Sequence, residues 1–384
     1  MENLLKPLIL FNCTTNVVGG GVKNSAIFIK HALIKNQENF IFAVSPQVNE
    51  ILERWNIKKN SVFVLSKSPA KSLKMRKKLF NISNKFNVDC VFTMAGPSYV
   101  KFNKPHIMGI SNAYITHPSF QAVCMGKTKI QIVRELLLIV YRSYYSLKAD
   151  FWIFQTNTAA FEFAKKYLID KKRIKVVSNS IGLEFNEYFS SKSVKKIDSN
   201  RIKVFCPSAA YPHKCLDCIP ELSRHLIELS PHMNFEFILT LEKNSDMWEK
   251  IEKKANKYSV ADKIKNIGPF NYADASGLYE KADIIFVPSI LETFSASYLE
   301  AFSSKKPLIA ADKKFARDIC KNAALYINPF ELEEAALKFI EIAKDEKLLE
   351  SLTERGLKVL NEYRDQQDRF NKIYDFLKNV IRTN

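Results

Sequence analysis

The sequence lacks any apolar run that could cross a membrane. A transmembrane helix needs about 20 such residues, and even Leu136–Tyr141 is far too short. The N-terminus is no better as a secretory signal, because Lys6 is followed only by the short apolar run 8–11, which predicts a first buried strand. The seven cysteines are odd in number and scattered, so we expect reduced thiols in a cytoplasmic protein.

Acidic residues are scarce in the first half of the chain. Residues 1–183 contain 27 Lys and Arg against 9 Asp and Glu, whereas the remaining residues contain 31 of each. The formal net charge of +18 therefore arises entirely in the first half. A charge this unevenly distributed predicts that the first half faces an anionic partner, such as a nucleic acid or an anionic bilayer.

The composition is otherwise that of a large folded protein. Of the 384 residues, 47% are apolar, and the chain includes 28 Phe and 15 Tyr. This apolar fraction excludes a disordered chain. At roughly 150 residues per domain, the length predicts two or three domains.

Short apolar segments alternate with longer amphipathic segments, which predicts an α/β protein with parallel sheets covered by helices on both faces. The predicted strands are 8–12, 41–45, 62–65, 90–93 and 151–155 in the first half and 203–207, 236–241 and 284–288 in the second. The polar segment 187–200 lacks periodicity and predicts the domain boundary. The expected organisation is a first domain at 1–183, a linker region at 184–200, a second domain at 201–360 and a C-terminal helix at 361–384 that packs back towards the first domain.

Three consecutive glycines, Gly19–Gly21, follow the first predicted strand and precede a helix. Glycine at this point lets the backbone approach a ligand closely, and the N-terminus of the helix favours an anion. The further spaced glycine of a dinucleotide-binding fingerprint is absent. From this pattern alone, a ligand-binding loop and a tight turn are equally good interpretations.

Cys215 and Cys218 have the spacing of a redox or metal motif. A structural zinc site would need a second pair of Cys or His ligands, and none stands at a suitable spacing. A redox role is conceivable at the start of a helix. The favoured interpretation is that two unrelated cysteines lie near each other on one helix.

The most informative segment is 283–302. A predicted strand ends at Pro288, a loop carries Glu292, and a helix begins near Ser295 and carries Glu300. Ligands of doubly wound sheets bind at the carboxyl ends of strands. There, the first helical turn can hold a phosphate while carboxylates accept hydrogen bonds from sugar hydroxyls.

At this point the sequence resembles the retaining glycosyltransferases of family 4, which have the GT-B fold of two facing Rossmann-like domains with a cleft between them. The resemblance covers most of the chain, and its landmarks occur in the expected order. They are the glycine turn, FWIFQTNTAAFE (151–162), VSNS (177–180), PSAAYPHK (207–214), and Pro288-Ser289 with Glu292 and Glu300, followed by PLIA (307–310).

The chain also departs from the family pattern. Ala209 stands where the family often has an Arg, five residues before the phosphate-binding lysine, which leaves Lys214 as the evident cation. Thr293 and Ser295 replace glycines that are common after the first glutamate. Many members carry a histidine after a strand of the first domain; this chain lacks it at the matching place, and His117 lies nearby.

The resemblance implies a particular site in this chain. The implied catalytic residues are Glu292, Lys214 and His117, and the implied donor-binding residues are Gly20, Gly21, Lys214, Glu292, Thr293, Phe294, Ser295 and Glu300. Lys214 would neutralise a leaving diphosphate. Glu292 would bind the hydroxyls of the donor sugar, and Glu300 would bind those of the ribose.

The implied reaction is the transfer of a hexose from a nucleoside-diphosphate sugar to a saccharide acceptor, with retention of configuration and without metal. No Asp-x-Asp motif occurs in the sequence, and no cofactor is expected. The expected partners are the donor and a saccharide or lipid-linked saccharide acceptor, and no nucleic acid. The expected pathway is polysaccharide or lipopolysaccharide biosynthesis.

Two alternatives remain open at this stage. A nucleotide-sugar epimerase of the same fold would share the nucleotide site but would need further acid and base carboxylates, and the first half has no evident motif that supplies them. A basic nucleic-acid-binding protein would explain the charge, but it would leave the segment 283–302 without a role.

The basic residues of the first half are concentrated in two segments. One is 71–78, with five Lys and Arg, and the other is 127–148, where Lys129, Arg134 and Arg142 flank the apolar run Leu136–Tyr141. Both segments predict helices, and the apolar residues of the second could equally belong to a core. We expect these segments to contact the anionic inner face of the cell membrane.

Overall fold

The computed structural model describes residues 7–36, 39–57, 61–194 and 201–383. The chain divides into two compact units. The first unit comprises residues 1–118, 127–178 and 367–384, and the second comprises residues 119–126 and 179–366. Each unit is built around one parallel β-sheet with helices packed against it.

The first unit contains a seven-stranded sheet in the order β3-β2-β1-β4-β5-β6-β7. Its strands are β1 (Ile9–Cys13), β2 (Phe40–Val44), β3 (Val62–Val64), β4 (Cys90–Thr93), β5 (His106–Gly109), β6 (Phe151–Phe154) and β7 (Ile174–Val176). The central strands are buried along their whole length because helices cover both faces of the sheet.

The second unit contains a six-stranded sheet in the order β10-β9-β8-β11-β12-β13. Its strands are β8 (Ile202–Cys206), β9 (Phe235–Leu239), β10 (Ile264–Asn266), β11 (Ile284–Val287), β12 (Leu308–Ala311) and β13 (Ala324–Ile327). Strand β8 pairs in parallel with β11, with Ile284 opposite Val204, so these two strands end side by side.

Helices connect and cover the strands of both sheets. They are α1 (Gly20–Asn36), α2 (Pro46–Arg54), α3 (Leu73–Lys85), α4 (Ala113–Thr116), α5 (Phe120–Cys124), α6 (Lys129–Ser146), α7 (Asn157–Tyr167), α8 (Leu183–Ser190), α9 (Ile219–Leu229), α10 (Asp246–Lys257), α11 (Ala275–Lys281), α12 (Ala296–Ser303), α13 (Lys314–Cys320), α14 (Leu332–Lys344), α15 (Glu346–Leu360) and α16 (Gln366–Thr383). None of the described helices is both long enough and apolar enough to cross a bilayer.

The region predicted as a linker, 184–200, differs from that prediction over its first part. Residues 183–190 form helix α8, because Phe185 and Phe189 are buried in the core of the second unit. The main segment of the second unit starts at Asn179, earlier than the predicted residue 201. Residues 195–200 lie outside the described residues.

The C-terminal helix α16 packs against the sheet of the first unit. Phe370, Ile373, Leu377 and Val380 are buried in the core around β1, β2 and β4. The ring centroid of Phe370 lies 5.0 Å from that of Phe28 on α1. The helix therefore completes the covering of the first sheet.

Candidate functional site

The adjacent ends of β8 and β11 bring two of the predicted catalytic residues together. Lys214 ends a 3-10 turn, Pro212–Lys214, that follows β8, and Glu292 lies in the loop that follows β11. The backbone N–H of Ile290 donates to the carbonyl oxygen of His213 at 2.9 Å, which holds the loop against the turn. The Lys214 ammonium donates to a carboxylate oxygen of Glu292.

This ion pair is largely removed from solvent. The side chains of Lys214 and Glu292 are only 18% and 13% exposed. A largely buried ion pair is less screened by salt than a surface pair. Removing either partner leaves the charge of the other poorly compensated. The cation and the carboxylate that the sequence assigned to separate roles thus interact directly.

Glu300 lies on α12, the helix that follows the same loop. Ser297, in the first turn of α12, donates to the carbonyl oxygen of Pro207 at 3.4 Å, which places the start of the helix beside the end of β8. The Glu300 side chain is buried, with 8% exposure, and it accepts a hydrogen bond from the Tyr279 hydroxyl at 2.7 Å.

Tyr279 keeps its proton in this environment. Burial, followed by the negative charge of Glu300, raises the pKa of the Tyr279 hydroxyl well above its ordinary value. The hydroxyl therefore remains a hydrogen-bond donor to the carboxylate near neutral pH. This contact fixes the orientation of a carboxylate that would be costly to bury without a donor.

A cavity of about 530 Å³ adjoins this part of the second unit. Its lining includes Glu184 and Tyr188 from α8 and Tyr272, Asp274 and Ser276 from the start of α11 and the turn before it. The pKa of Tyr272 is raised, first by burial and then by the negative charges of Glu300 and Glu184. Tyr272 thus lines the cavity and lies near enough to Glu300 for the charge of that carboxylate to act on its hydroxyl.

The loop between Glu292 and α12 is mostly buried. Thr293 and Ser295 are each 5% exposed, and the ring of Phe294 packs edge-on against Tyr363 with centroids 6.0 Å apart. Ser295 is the N-cap residue of α12, and its side chain makes no capping hydrogen bond to described residues. The side chain of Phe294 therefore contributes to packing within the second unit.

Gly20 and Gly21, the predicted glycine turn, lie in the first unit at the start of α1. Gly19 has φ +66°, a conformation that favours glycine. A Cβ atom at Gly20 would meet nothing within 4 Å, so the backbone there borders open space. Buried Asn16 supports the turn by donating to the Ser25 hydroxyl at 2.7 Å.

His117 also lies in the first unit, at the C-terminal end of the short helix α4 that follows β5. Its Nδ1 atom is 2.7 Å from the Thr116 hydroxyl oxygen, and the side chain is half-buried. The structure thus brings together Lys214, Glu292 and the loop to Glu300 in the second unit, and it places His117 and the glycine turn in the first.

Two buried polar residues received no role from the sequence. Tyr279 gave no signal beyond an aromatic residue in an amphipathic helix. His106 lies on β5 and is 1% exposed; its Nε2 atom is 2.9 Å from the Thr93 hydroxyl oxygen, and burial lowers its pKa to about 3. Both are interior polar residues that only a three-dimensional structure distinguishes from ordinary core residues.

Cys215 and Cys218 are buried free thiols. Burial raises the pKa of Cys215 to about 12, so the thiolate that redox chemistry requires is not formed near neutral pH. Across the described part of the chain, no group of three or more His, Cys, Asp and Glu side chains is arranged to hold a metal ion. The geometry supports the interpretation of two structural cysteines.

Comparison with known proteins agrees with this geometry. Residues 190–359 match the family model of the glycosyl transferases group 1. A segment of 184 residues is 24% identical to the O-antigen chain mannosyltransferase RfbU of Salmonella typhimurium; it covers 47% of this chain and 48% of RfbU. The matched segment thus spans about half the length of this curated relative.

Two solved structures share the fold over nearly the whole chain. A glycosyltransferase from Rickettsia africae has a TM-score of 0.72 at 18% identity and covers 99% of this chain and 100% of its own. Anabaena Alr3699/HepE, solved in complex with UDP and glucose, has a TM-score of 0.70 at 16% identity. The match covers 97% of this chain and 99% of the Anabaena chain.

These findings define the class of the molecule. Its two Rossmann-like units and helical C-terminus have the GT-B fold, as the resemblance implied. The segment that matches the glycosyl transferases group 1 model, residues 190–359, contains Lys214, Glu292 and Glu300. The prediction of a GT-B fold is confirmed, and the similarity to glycosyltransferases lies in residues 190–359.

Proposed function

We propose that this chain is a retaining glycosyltransferase of family 4 that transfers a hexose from a nucleoside-diphosphate sugar to a saccharide acceptor without a metal ion. The proposal rests on the arrangement of three charged residues at the ends of two neighbouring strands. The Lys214–Glu292 ion pair lies at the carboxyl ends of β8 and β11, and the buried carboxylate of Glu300 follows on the next helix. Ligands of doubly wound sheets bind at such strand ends.

In the proposed reaction, the bond between the anomeric carbon and the diphosphate oxygen breaks, and the electron pair leaves with the diphosphate. The acceptor hydroxyl oxygen bonds to the anomeric carbon on the same face, and its proton passes to a diphosphate oxygen. Lys214 stabilises the charge that grows on the leaving group. Glu292 accepts hydrogen bonds from the hydroxyls of the donor sugar.

Glu300 binds the ribose hydroxyls in this proposal. A buried carboxylate oriented by Tyr279 suits this role, because its direction is set before the nucleotide arrives. The N-terminal turn of α12, with Thr293, Phe294 and Ser295 before it, and the glycine turn, where the backbone is open at Gly20 and Gly21 packs against Asn16, would complete the donor site. The half-buried His117 is the proposed contribution of the first unit to catalysis.

We further propose a lipid-linked acceptor in polysaccharide or lipopolysaccharide biosynthesis, with the protein in peripheral contact with the inner face of the cell membrane. The concentration of the +18 charge in residues 1–183 supports this location. The similarity to an O-antigen mannosyltransferase supports the pathway.

The test is to incubate the protein with UDP- and GDP-hexoses, in the presence of EDTA, and to analyse both nucleotide and sugar. Release of UDP or GDP from one donor, abolished in Lys214→Ala, is the expected result. Conversion of the sugar to its epimer would instead support the epimerase, and no turnover of any donor would contradict the proposal.

A further inference from the structure

Helix α6 exposes a continuous apolar stripe. Only Ile139, Ser143 and Ser146 of its 18 residues are buried. The exposed apolar side chains at spacings of three and four residues are Ile130 (82% exposed), Val133 (58%), Leu137 (65%), Val140 (67%) and Tyr144 (55%). The residues that the sequence left open as possible core therefore lie largely outside it.

This arrangement is the reverse of what a helix covering a sheet normally shows. Such a helix turns its apolar stripe to the core and its charges to water. Soluble proteins rarely expose a contiguous apolar patch of this kind unless it meets a partner or a membrane. Leu73, at the start of α3, is also 76% exposed.

Arg76 joins α3 to α6. Its guanidinium donates to the hydroxyl of Tyr145 at 2.8 Å and to that of Tyr141 at 2.7 Å, and it lies 5.0 Å from the centroid of the Tyr145 ring. The exposed lysines of the α3 region, Lys71, Lys74, Lys77 and Lys78, are thereby held in a fixed relation to α6. We call the apolar stripe of α6, together with these exposed cations of α3, the α3–α6 surface.

The positive charge of this surface favours an anionic partner over a second copy of the chain. The stripe follows the spacing at which two helices pair, so a second copy of the chain is the rival candidate. Pairing two copies through the same face would bring their lysines together. The acidic residue of α6, Glu135, is 3.4 Å from Arg142 of the same helix and does not offset those charges.

We propose that α6 inserts its apolar stripe into the boundary between headgroups and acyl chains of an anionic bilayer, while the lysines of α3 contact lipid phosphates. An amphipathic helix with cations beside its apolar face binds membranes in this way. The inference deepens the proposed membrane contact and rests on it: it adds apolar insertion to electrostatic attraction and names the helix that inserts.

The experiment measures sedimentation of the full chain with vesicles of phosphatidylcholine, with and without about 30% of the anionic lipid phosphatidylglycerol. Leu137→Ser with Val140→Ser should weaken binding to anionic vesicles at least tenfold. Leu337→Ser, which changes a 53% exposed leucine on α14, is the matched control and should leave binding unchanged. Lys74→Ser with Lys77→Ser should weaken binding and reduce its dependence on salt, because Lys71 and Lys78 remain.

A second measurement reports insertion directly. In Leu137→Trp, the fluorescence of the new tryptophan should shift to the blue with anionic vesicles and be quenched by lipids brominated on the acyl chain. Unchanged vesicle binding in the Leu137→Ser, Val140→Ser variant would overturn the proposal. A dimer in solution by light scattering, lost in that variant, would assign the stripe to self-association instead.

Failure of this proposal is distinguishable from failure of the proposed function. Binding of UDP and GDP by calorimetry needs no membrane, and donor turnover in solution needs no vesicles. A protein that binds and turns over donor while α6 proves dispensable for vesicle binding would retain the proposed function and refute the insertion.

Discussion

Helices α12 and α6 differ in which residues they bury: α12 buries a carboxylate, and α6 leaves apolar side chains exposed. In the second unit, α12 buries six of its eight residues, among them the carboxylate of Glu300. In the first unit, α6 buries three of eighteen and exposes its apolar stripe. A charge buried with a dedicated donor indicates a site for a small polar ligand, whereas apolar surface left in water indicates a large apolar partner.

The comparison therefore separates two tasks. The second unit concentrates buried polar chemistry around the ends of β8 and β11, and the first unit presents an outer surface that is both cationic and apolar. The predictions that follow probe each side of this contrast, beginning with the change that should have the largest effect.

Replacing Lys214 is the strongest test of the proposed chemistry at the site in the second unit. Lys214→Ala should lower kcat by about 10²–10³-fold while donor affinity falls by less, because the contact strengthens as charge develops on the leaving group. Steady-state kinetics with the donor identified by screening measures both quantities, and activity of the wild type should survive EDTA.

Lys347→Ala is the matched control, since Lys347 is an exposed lysine on α15 of the same unit. It should retain wild-type kinetics. Wild-type turnover by Lys214→Ala at saturating donor would refute the assignment and would direct attention to Lys243 or Lys23 as the cation.

His106 sharpens the comparison, because the first unit also buries an ionisable group but keeps it uncharged. Burial lowers the pKa of His106 from 6.5 to about 3, so between these values the unfolded chain binds a proton that the folded chain excludes. Stability should fall as the pH drops below 6.5, by about 3 kcal/mol between pH 7.5 and 4.5 from this residue. Urea unfolding at both pH values measures the loss.

His106→Gln should remove that part of the pH dependence, whatever its own effect on stability at pH 7.5. His232→Gln, at an exposed histidine of the second unit, is the matched control. Identical pH dependence in the His106 variant and the wild type would contradict the prediction.

Tyr279 should show the smallest effect of the three. Tyr279→Phe removes the hydroxyl that orients Glu300 and preserves the buried ring, so donor Kd should rise about tenfold while kcat changes little. Tyr298→Phe is the control, because Tyr298 is equally buried and its hydroxyl has no hydrogen-bond partner among the described residues. Equal donor Kd in the two variants would show that the Tyr279 hydroxyl has no role in donor binding.

Much of the fold could be predicted from the sequence. Long apolar strands such as β1 and β2 alternate with helices in a pattern that only parallel sheets satisfy. Strands β5, β7, β10, β12 and β13 are absent from the predicted strands. Three or four residues are too few to show a period, so strands of this length can be predicted only from a short apolar run, which does not mark every one of them. Helix α8 was missed because its polar residues hide two buried phenylalanines.

The candidate site could be predicted only in part. Lys214 and Glu292 are 78 residues apart in the chain. Both could be predicted as site residues from the ends of the predicted strands and from the family resemblance. Their direct contact depends on β8 and β11 being neighbours, which no local pattern indicates. The orientation of α6 was equally hidden, because periodicity reveals an apolar face but not what that face meets.

The central claim is that the buried carboxylate of Glu300 binds the nucleotide and the ion-paired carboxylate of Glu292 binds the sugar. Calorimetric titration of UDP and GDP into the wild type, Glu300→Ala and Glu292→Ala tests it most directly. The account predicts that one nucleotide binds the wild type, that Glu300→Ala weakens it by about 10–10³-fold, and that Glu292→Ala binds it as tightly as the wild type or more so. Unchanged nucleotide affinity in Glu300→Ala would contradict the account.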